Sequence, residues 1–157
     1  MGARSAAGLL LFLLLVAAAA LFGVRFQPGS WYAGLAKPAW TPPNSLFGPV
    51  WSVLYLCIAV AGWLVWRRGG WTSPALAFWA FQLVLNALWS WLFFGLHRPL
   101  WALGDILFLW AAALVFAVLS WGISRPAAVL FFPYLVWVAY AAALNAALWT
   151  LNWGARS

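Results

Sequence analysis

The chain has 157 residues, of which 68% are hydrophobic and 6% charged, far below the roughly 25% charged of ordinary soluble domains. A water-soluble globule is excluded, and the composition reads as an integral, multi-pass membrane protein. Eight basic residues oppose a single acid, Asp105, for a formal charge of +7. Arg4, Arg25, Arg67, Arg68, Arg98, Arg125 and Arg156 fall singly or in pairs between apolar runs, so they read as anchors at lipid headgroups, not as a nucleic-acid surface.

A membrane helix needs about 20 predominantly apolar residues. Cutting the chain at its charges leaves five such spans, approximately 6–24, 45–66, 73–96, 99–122 and 126–150. The expected fold is therefore an all-α bundle of five transmembrane helices, one domain over residues 1–157, with an ordered loop between helices one and two. The first span, "LLLFLLLVAAAALF" after Arg4, is read as a retained helix. Its removal as a signal peptide would leave four spans and an unanchored aromatic loop.

Residues 25–44 are the long connection, and its composition decides its character. Trp31, Tyr32 and Trp40 bring rings, and Pro38, Pro42 and Pro43 lower the entropy of the free chain. So aromatic a segment is not disordered; it should fold back over one mouth of the bundle as a lid that also carries Lys37. The other connections, "RRGGWTS", "GLHRP" and "GISRP", are short turns that make successive helices antiparallel neighbours.

The second span carries Pro49, then Trp51 and Tyr55 one turn apart; its Cys57 is the chain's sole cysteine, so no intrachain disulfide forms. Ser73 and Pro74 open the third span, where Gln82, Asn86, Trp89 and Phe93 follow helical spacing on one stripe. Amides are costly against lipid, so this stripe faces the interior, either as interhelical glue or as part of a site. His97 lies in a turn beside Arg98. Pro99 opens the fourth span, and Asp105 shares a nominal face with Trp101, Phe108 and Ala112 near its start, where a helix N-terminus favours an acid. Pro126 opens the fifth, which places Pro133 one turn before Trp137, with Tyr140, Ala141 and Leu144 on the same face. Pro49 and Pro133 are each expected to kink a helix and tilt the tryptophan that follows. Most of the fifteen tryptophans suit an interfacial belt; Trp51 and Trp137 lie deeper and suggest an aromatic cavity.

One His, one Cys, one Asp and no Glu cannot assemble a zinc tetrad, a carboxylate pair or a His-based triad with an interior acid. Conventional hydrolysis and group transfer are disfavoured and no metal is expected, which leaves binding, transport or chemistry supplied by a ligand. Basic residues tie four to four across the membrane, so orientation stays open.

These motifs resemble the TspO/MBR family, the tryptophan-rich sensory proteins of bacteria and the translocator proteins of mitochondria. The resemblance runs along essentially the whole chain, through "WYAGLAKPAWTPP", "FGPVWSVLY", "QLVLNALWSWLFFGLHRP", Trp101 to Asp105 and "FFPYLVWVAYAAALN". It implies a five-helix bundle, often dimeric, that binds a porphyrin such as protoporphyrin IX or a heme-like tetrapyrrole as ligand and requires no other cofactor. By motif, the ligand cavity would be lined by Val50, Trp51, Asn86, Trp89, Trp101, Gly104, Phe108, Trp137, Ala141 and Leu144. It also implies a second possibility, light- and oxygen-dependent porphyrin breakdown through Trp51 and Trp137. The chain reads "LNAALWTLN" where mitochondrial members place the Tyr and Arg of a cholesterol-recognition segment, so a sterol is not the expected ligand. Three functions follow as expectations: a porphyrin-binding protein of sensing, transport or disposal in a bacterial cell membrane, a photo-oxidative porphyrin-degrading enzyme, or a transporter or channel for porphyrins or sterol-like lipids. Lys37 and Arg25 are candidates to meet porphyrin propionates. Gly62 and "AAALVFA" of the fourth span are candidate dimer surfaces.

Overall fold

The structure, a computed structural model, describes residues 2–154; Arg156 lies outside them. Helix α1 spans Ala3–Val24, the single turn α2 Ser30–Ala33, α3 Phe47–Gly69, α4 Pro74–Ser90, α5 Pro99–Ile123 and α6 Arg125–Trp153. A 3-10 turn, Asn44–Leu46, leads into α3, and a π turn, Trp91–Gly95, extends α4. Five segments are long and apolar enough to cross a membrane, and each end falls within one helical turn of the span read from the sequence. The fold is the expected all-α membrane bundle.

Packing closes the five long helices into a ring. α5 lies between α4 and α6, α3 between α1 and α6, and α1 returns to α4. Lipid tails are as apolar as the side chains, so close packing and interhelical hydrogen bonds hold such a ring together. Gly62 shows how tight the fit is: a Cβ there would lie 2.5 Å from Trp79 Nε1 and 2.8 Å from the Phe12 ring. That indole donates to the Ile58 carbonyl at 2.8 Å, so α1, α3 and α4 converge on a glycine. Gly62 is therefore an internal contact, not a dimer surface. Within "AAALVFA", Ala112, Ala113 and Phe116 are likewise turned into the chain's own core.

The prolines mark helix starts as anticipated, with Pro74 and Pro99 first in α4 and α5 and Pro126 second in α6. Pro49 falls in the first turn of α3, where its missing N–H has no intrahelical partner to lose, so it begins the helix instead of kinking it. Pro133 is interior to α6 and deprives the Val129 carbonyl of its ladder partner. In the π turn Leu96 N–H donates to the Trp91 carbonyl at 2.8 Å, a register one residue wider than the α-helix.

The lid is ordered by three separate ties. Asn152 in the last turn of α6 holds Ala36 twice, accepting from its N–H and donating to its carbonyl, both at 3.0 Å. Tyr140 donates its hydroxyl to the Trp40 carbonyl at 2.7 Å. Trp31 stacks on His97, with centroids 4.2 Å apart, and meets Phe93 edge-on at 5.6 Å. The two ties on α6 are about 18 Å apart along the helix axis, so the loop lies along the C-terminal half of α6. Replacing Gly62 by Val should lower unfolding stability in detergent by about 1–3 kcal/mol through overpacking against Trp79 and Phe12, read as a fall in thermal midpoint.

Candidate functional site

Beneath the lid lies a cavity of about 520 Å³ walled by the end of α1, the start of α3, the end of α4 and the middle of α6. Three tryptophans from three helices, Trp51, Trp89 and Trp137, face it, with Ala141 beside Trp137 and Tyr32 contributed by the lid. Neighbouring rings fix their planes: Trp51 on Tyr55 at 5.2 Å, Phe47 edge-on to Trp137 at 5.9 Å, and Phe94 edge-on to Trp89 at 5.8 Å. Trp89 is also anchored by its indole N–H, which donates to Asn145 Oδ1 at 3.1 Å, while Asn145 Nδ2 donates to the Pro99 carbonyl at 2.8 Å. Trp137 Nε1 is buried and has no hydrogen-bond partner among the described residues.

Behind the wall runs a relay of side chains. The Tyr55 hydroxyl donates to Asn86 Oδ1 at 2.9 Å, Asn86 Nδ2 donates to the Tyr134 hydroxyl at 3.1 Å, and that hydroxyl donates to Gln82 Oε1 at 2.8 Å. Gln82 Nε2 closes the series on the Trp79 carbonyl at 3.0 Å. The relay joins α3, α4 and α6, and both amides of the sequence stripe are consumed in it. Asn86 is therefore not in the wall; it holds Tyr55, which is.

Of the residues proposed by motif, Trp51, Trp89, Trp137 and Ala141 come together around the cavity, and Asn86 stands one layer behind. Leu144 is buried in a separate cluster with Tyr32, Phe93, Ala102 and Leu148, where it supports the lid. Val50 faces a groove on the outside of the bundle. Trp101 and Phe108 are 70% and 69% exposed, and the Cβ position of Gly104 opens onto empty space. All three lie on the outward side of α5, because that helix buries the arc through Ala102, Ile106, Leu109, Ala113 and Phe116 and these residues fall beyond its edge. Among the described residues they do not line the cavity.

The lid residues also divide. Lys37 places its ammonium 4.7 Å from the Tyr32 ring centroid and donates to the Ala33 and Leu35 carbonyls, each at 3.1 Å, so its charge is spent within the lid. Thr41 donates its hydroxyl to the Pro38 carbonyl at 2.8 Å, Pro43 precedes the 3-10 turn, Trp40 packs edge-on to Tyr140, and Pro42 borders the outer groove. Arg25 is exposed, next to the cavity residues Val24 and Phe26. Gln27, Asn44, Ser52 and Ser90 add polar groups that sequence reasoning passed over. Phe94 was missed because the π turn rotates it into the cavity while its neighbour Phe93 goes into the core, and a 3.6-residue period has no signal for that.

Asp105 is buried at 7% exposure, and neither carboxylate oxygen has a hydrogen-bond partner among the described residues. It is the seventh residue of α5, past the free N–H groups of the first turn, so it does not cap the helix as its position suggested. Burial, with a smaller contribution from Tyr140, holds the Tyr32 hydroxyl above the usual tyrosine range, so it meets a ligand as a neutral group. No three His, Cys, Asp or Glu side chains gather among the described residues. Indole faces around a half-open cavity, with hydroxyls and amides at intervals, suit a flat apolar molecule with polar edges. Replacing Tyr134 by Phe strands Asn86 Nδ2 and Gln82 Oε1 together, and should cost about 1–3 kcal/mol for each buried group left unpaired. Thermal unfolding of Y134F beside the wild type in the same detergent checks this.

The sequence profile of the TspO/MBR family matches residues 9–150. The chain is 46% identical over 124 residues to the tryptophan-rich protein TspO of Archaeoglobus fulgidus, covering 78% of this chain and 80% of the relative. It is 42% identical over 141 residues to the human translocator protein, covering 85% and 83%, and 39% identical over 143 residues to protein CrtK of Rhodobacter capsulatus, covering 89% of each. With its five membrane-spanning helices, the chain is an integral, multi-pass membrane protein and belongs to the TspO/MBR family.

Proposed function

We propose that this protein binds a tetrapyrrole of the protoporphyrin type in the cavity beneath its lid, in the service of porphyrin sensing, transport or disposal. The observation that carries the reading is the convergence of Trp51, Trp89 and Trp137 from three helices on one half-open cavity. A flat macrocycle would bury its faces against the indoles and turn its edges toward Gln27, Asn44 and the Tyr32 hydroxyl. With Lys37 held by lid carbonyls, Arg25 is the better placed cation for a propionate. The sensory and translocator names of relatives support a role in signalling or movement across a membrane, and bacterial relatives such as CrtK support a bacterial cell membrane. A homodimer would use an outward face such as that of Trp101 and Phe108, since Gly62 is internal.

A second reading is favoured by the presence of both Trp51 and Trp137 in the same wall. In it the light-excited porphyrin takes an electron from an indole and passes it to dioxygen, giving superoxide; the indole radical cation then recovers an electron from the macrocycle, and the macrocycle radical cation combines with superoxide, so porphyrin and dioxygen are consumed and the indole is restored. Titrating protoporphyrin IX into the reconstituted protein should quench tryptophan emission, and the double variant Trp51→Ala, Trp137→Ala should weaken binding by about tenfold or more, roughly 1.4 kcal/mol or above. Unaltered affinity in that variant would contradict the cavity assignment. For the second reading, pigment should be lost only in light with oxygen, and Trp51→Phe with Trp137→Phe should abolish the loss while preserving binding. Equal loss in the dark would exclude it.

A further inference from the structure

We propose that the cavity is loaded from the bilayer, through a lateral port between α3 and α6 whose door is the Trp137 indole. This inference rests on the tetrapyrrole-binding reading and specifies its route. On the outside of the bundle, the first turns of α3 and the middle of α6 enclose an open groove of about 860 Å³. Its lining includes Pro49, Val53, Phe132, Val136 and Tyr140, with no charged residue. Its polar side-chain groups are the Trp137 indole N–H and the Tyr140 hydroxyl, the latter already donated to the Trp40 carbonyl. Groove and cavity share a single lining residue, Trp137, so one indole divides the two spaces.

Depth settles what the groove meets. Phe132 to Tyr140 lie seven to fifteen residues from the start of α6, about 10 to 23 Å along a helix rising 1.5 Å per residue, well within a hydrocarbon core of about 30 Å. The groove is therefore filled by lipid chains, which a flat apolar ligand partitioned into the bilayer displaces. Entry beneath the lid is the competing route, and there the Asn152 and Tyr140 hydrogen bonds and the Trp31 stack clip the loop to α6 and to the turn after α4.

Trp137 is free to act as a door in a way that other indoles are not. Trp63, Trp79, Trp89 and Trp110 each donate their N–H to a carbonyl or amide oxygen. Trp137 Nε1 has no partner among the described residues, so turning the ring breaks no hydrogen bond. What holds it is the edge-on Phe47 ring at 5.9 Å and the tilted Tyr140 ring at 5.7 Å. One turn earlier Pro133 interrupts the backbone ladder of α6, which leaves the door frame able to bend.

The test is stopped-flow binding of protoporphyrin IX, followed by porphyrin fluorescence, to protein reconstituted in phosphatidylcholine vesicles. Val53→Trp and Val136→Trp fill the groove without touching the cavity, and the port predicts that both association and dissociation slow by about tenfold while Kd is unchanged, because a shared barrier has been raised. Trp137→Gly should accelerate both rates. Asn152→Ala, which loosens the lid, should leave them as they are. Where a Trp variant melts below the wild type, Val53→Phe replaces it. Unchanged rates in the groove-filling variants, or faster exchange in Asn152→Ala, would overturn the port in favour of entry beneath the lid. A wild-type protein that binds no porphyrin would instead refute the underlying reading of function.

Discussion

The Tyr134 hydroxyl is the point on which the bundle turns. It accepts from Asn86 and donates to Gln82, two residues one turn apart on α4, and through Asn86 it reaches Tyr55 on α3. In hydrocarbon, where apolar burial between helices contributes little, such a relay sets rotation and depth of three helices at once. Every group in it is satisfied, which is the condition for a polar network to specify one arrangement instead of weakening it. The cavity follows from that choice: with Asn86 locked to Tyr134, Tyr55 stands at the floor, Trp51 packs tilted against it from one turn earlier, and Trp89 joins them from α4.

The lid completes the space by different means. Its rings pack on the ends of α4 and α6, and its backbone is clipped to α6 by side chains, so the loop needs no regular structure beyond the single turn α2. Lys37 illustrates how the lid conserves order at the expense of ligand contact, since its ammonium holds two carbonyls and covers Tyr32. The site that results is polar in places and uncharged among its lining residues, with Arg25 outside it.

Much of this was legible in the sequence because charge and proline placement in a membrane chain have few alternative meanings. The five spans followed from the arginines and from Pro74, Pro99 and Pro126, and the inward stripe of Gln82, Asn86, Trp89 and Phe93 followed from the cost of amides in lipid. Faces of uniformly apolar helices were not legible. Helix α5 carries Trp101, Phe108 and Asp105 at similar angles, and nothing in their spacing says that the burial edge passes between them, sending the acid inward and the rings outward. The π turn after Ser90 was equally silent, and it alone explains why Phe94 and not Phe93 reaches the cavity. Gly62 was misread for a related reason: a small residue on a membrane helix admits a close neighbour, and the sequence does not say whether the neighbour is its own α1 and α4 or a second chain.

The central claim is that the ligand space is the cavity under the lid, bounded by Trp51, Trp89 and Trp137, and not the outward face of α5. An experimental structure of the protein with protoporphyrin IX, solved in lipid, tests it most directly. The account predicts macrocycle density between those three indoles beneath Tyr32, with Trp101 and Phe108 free of it. Density against Trp101, Gly104 and Phe108, with the space under the lid empty, would contradict it.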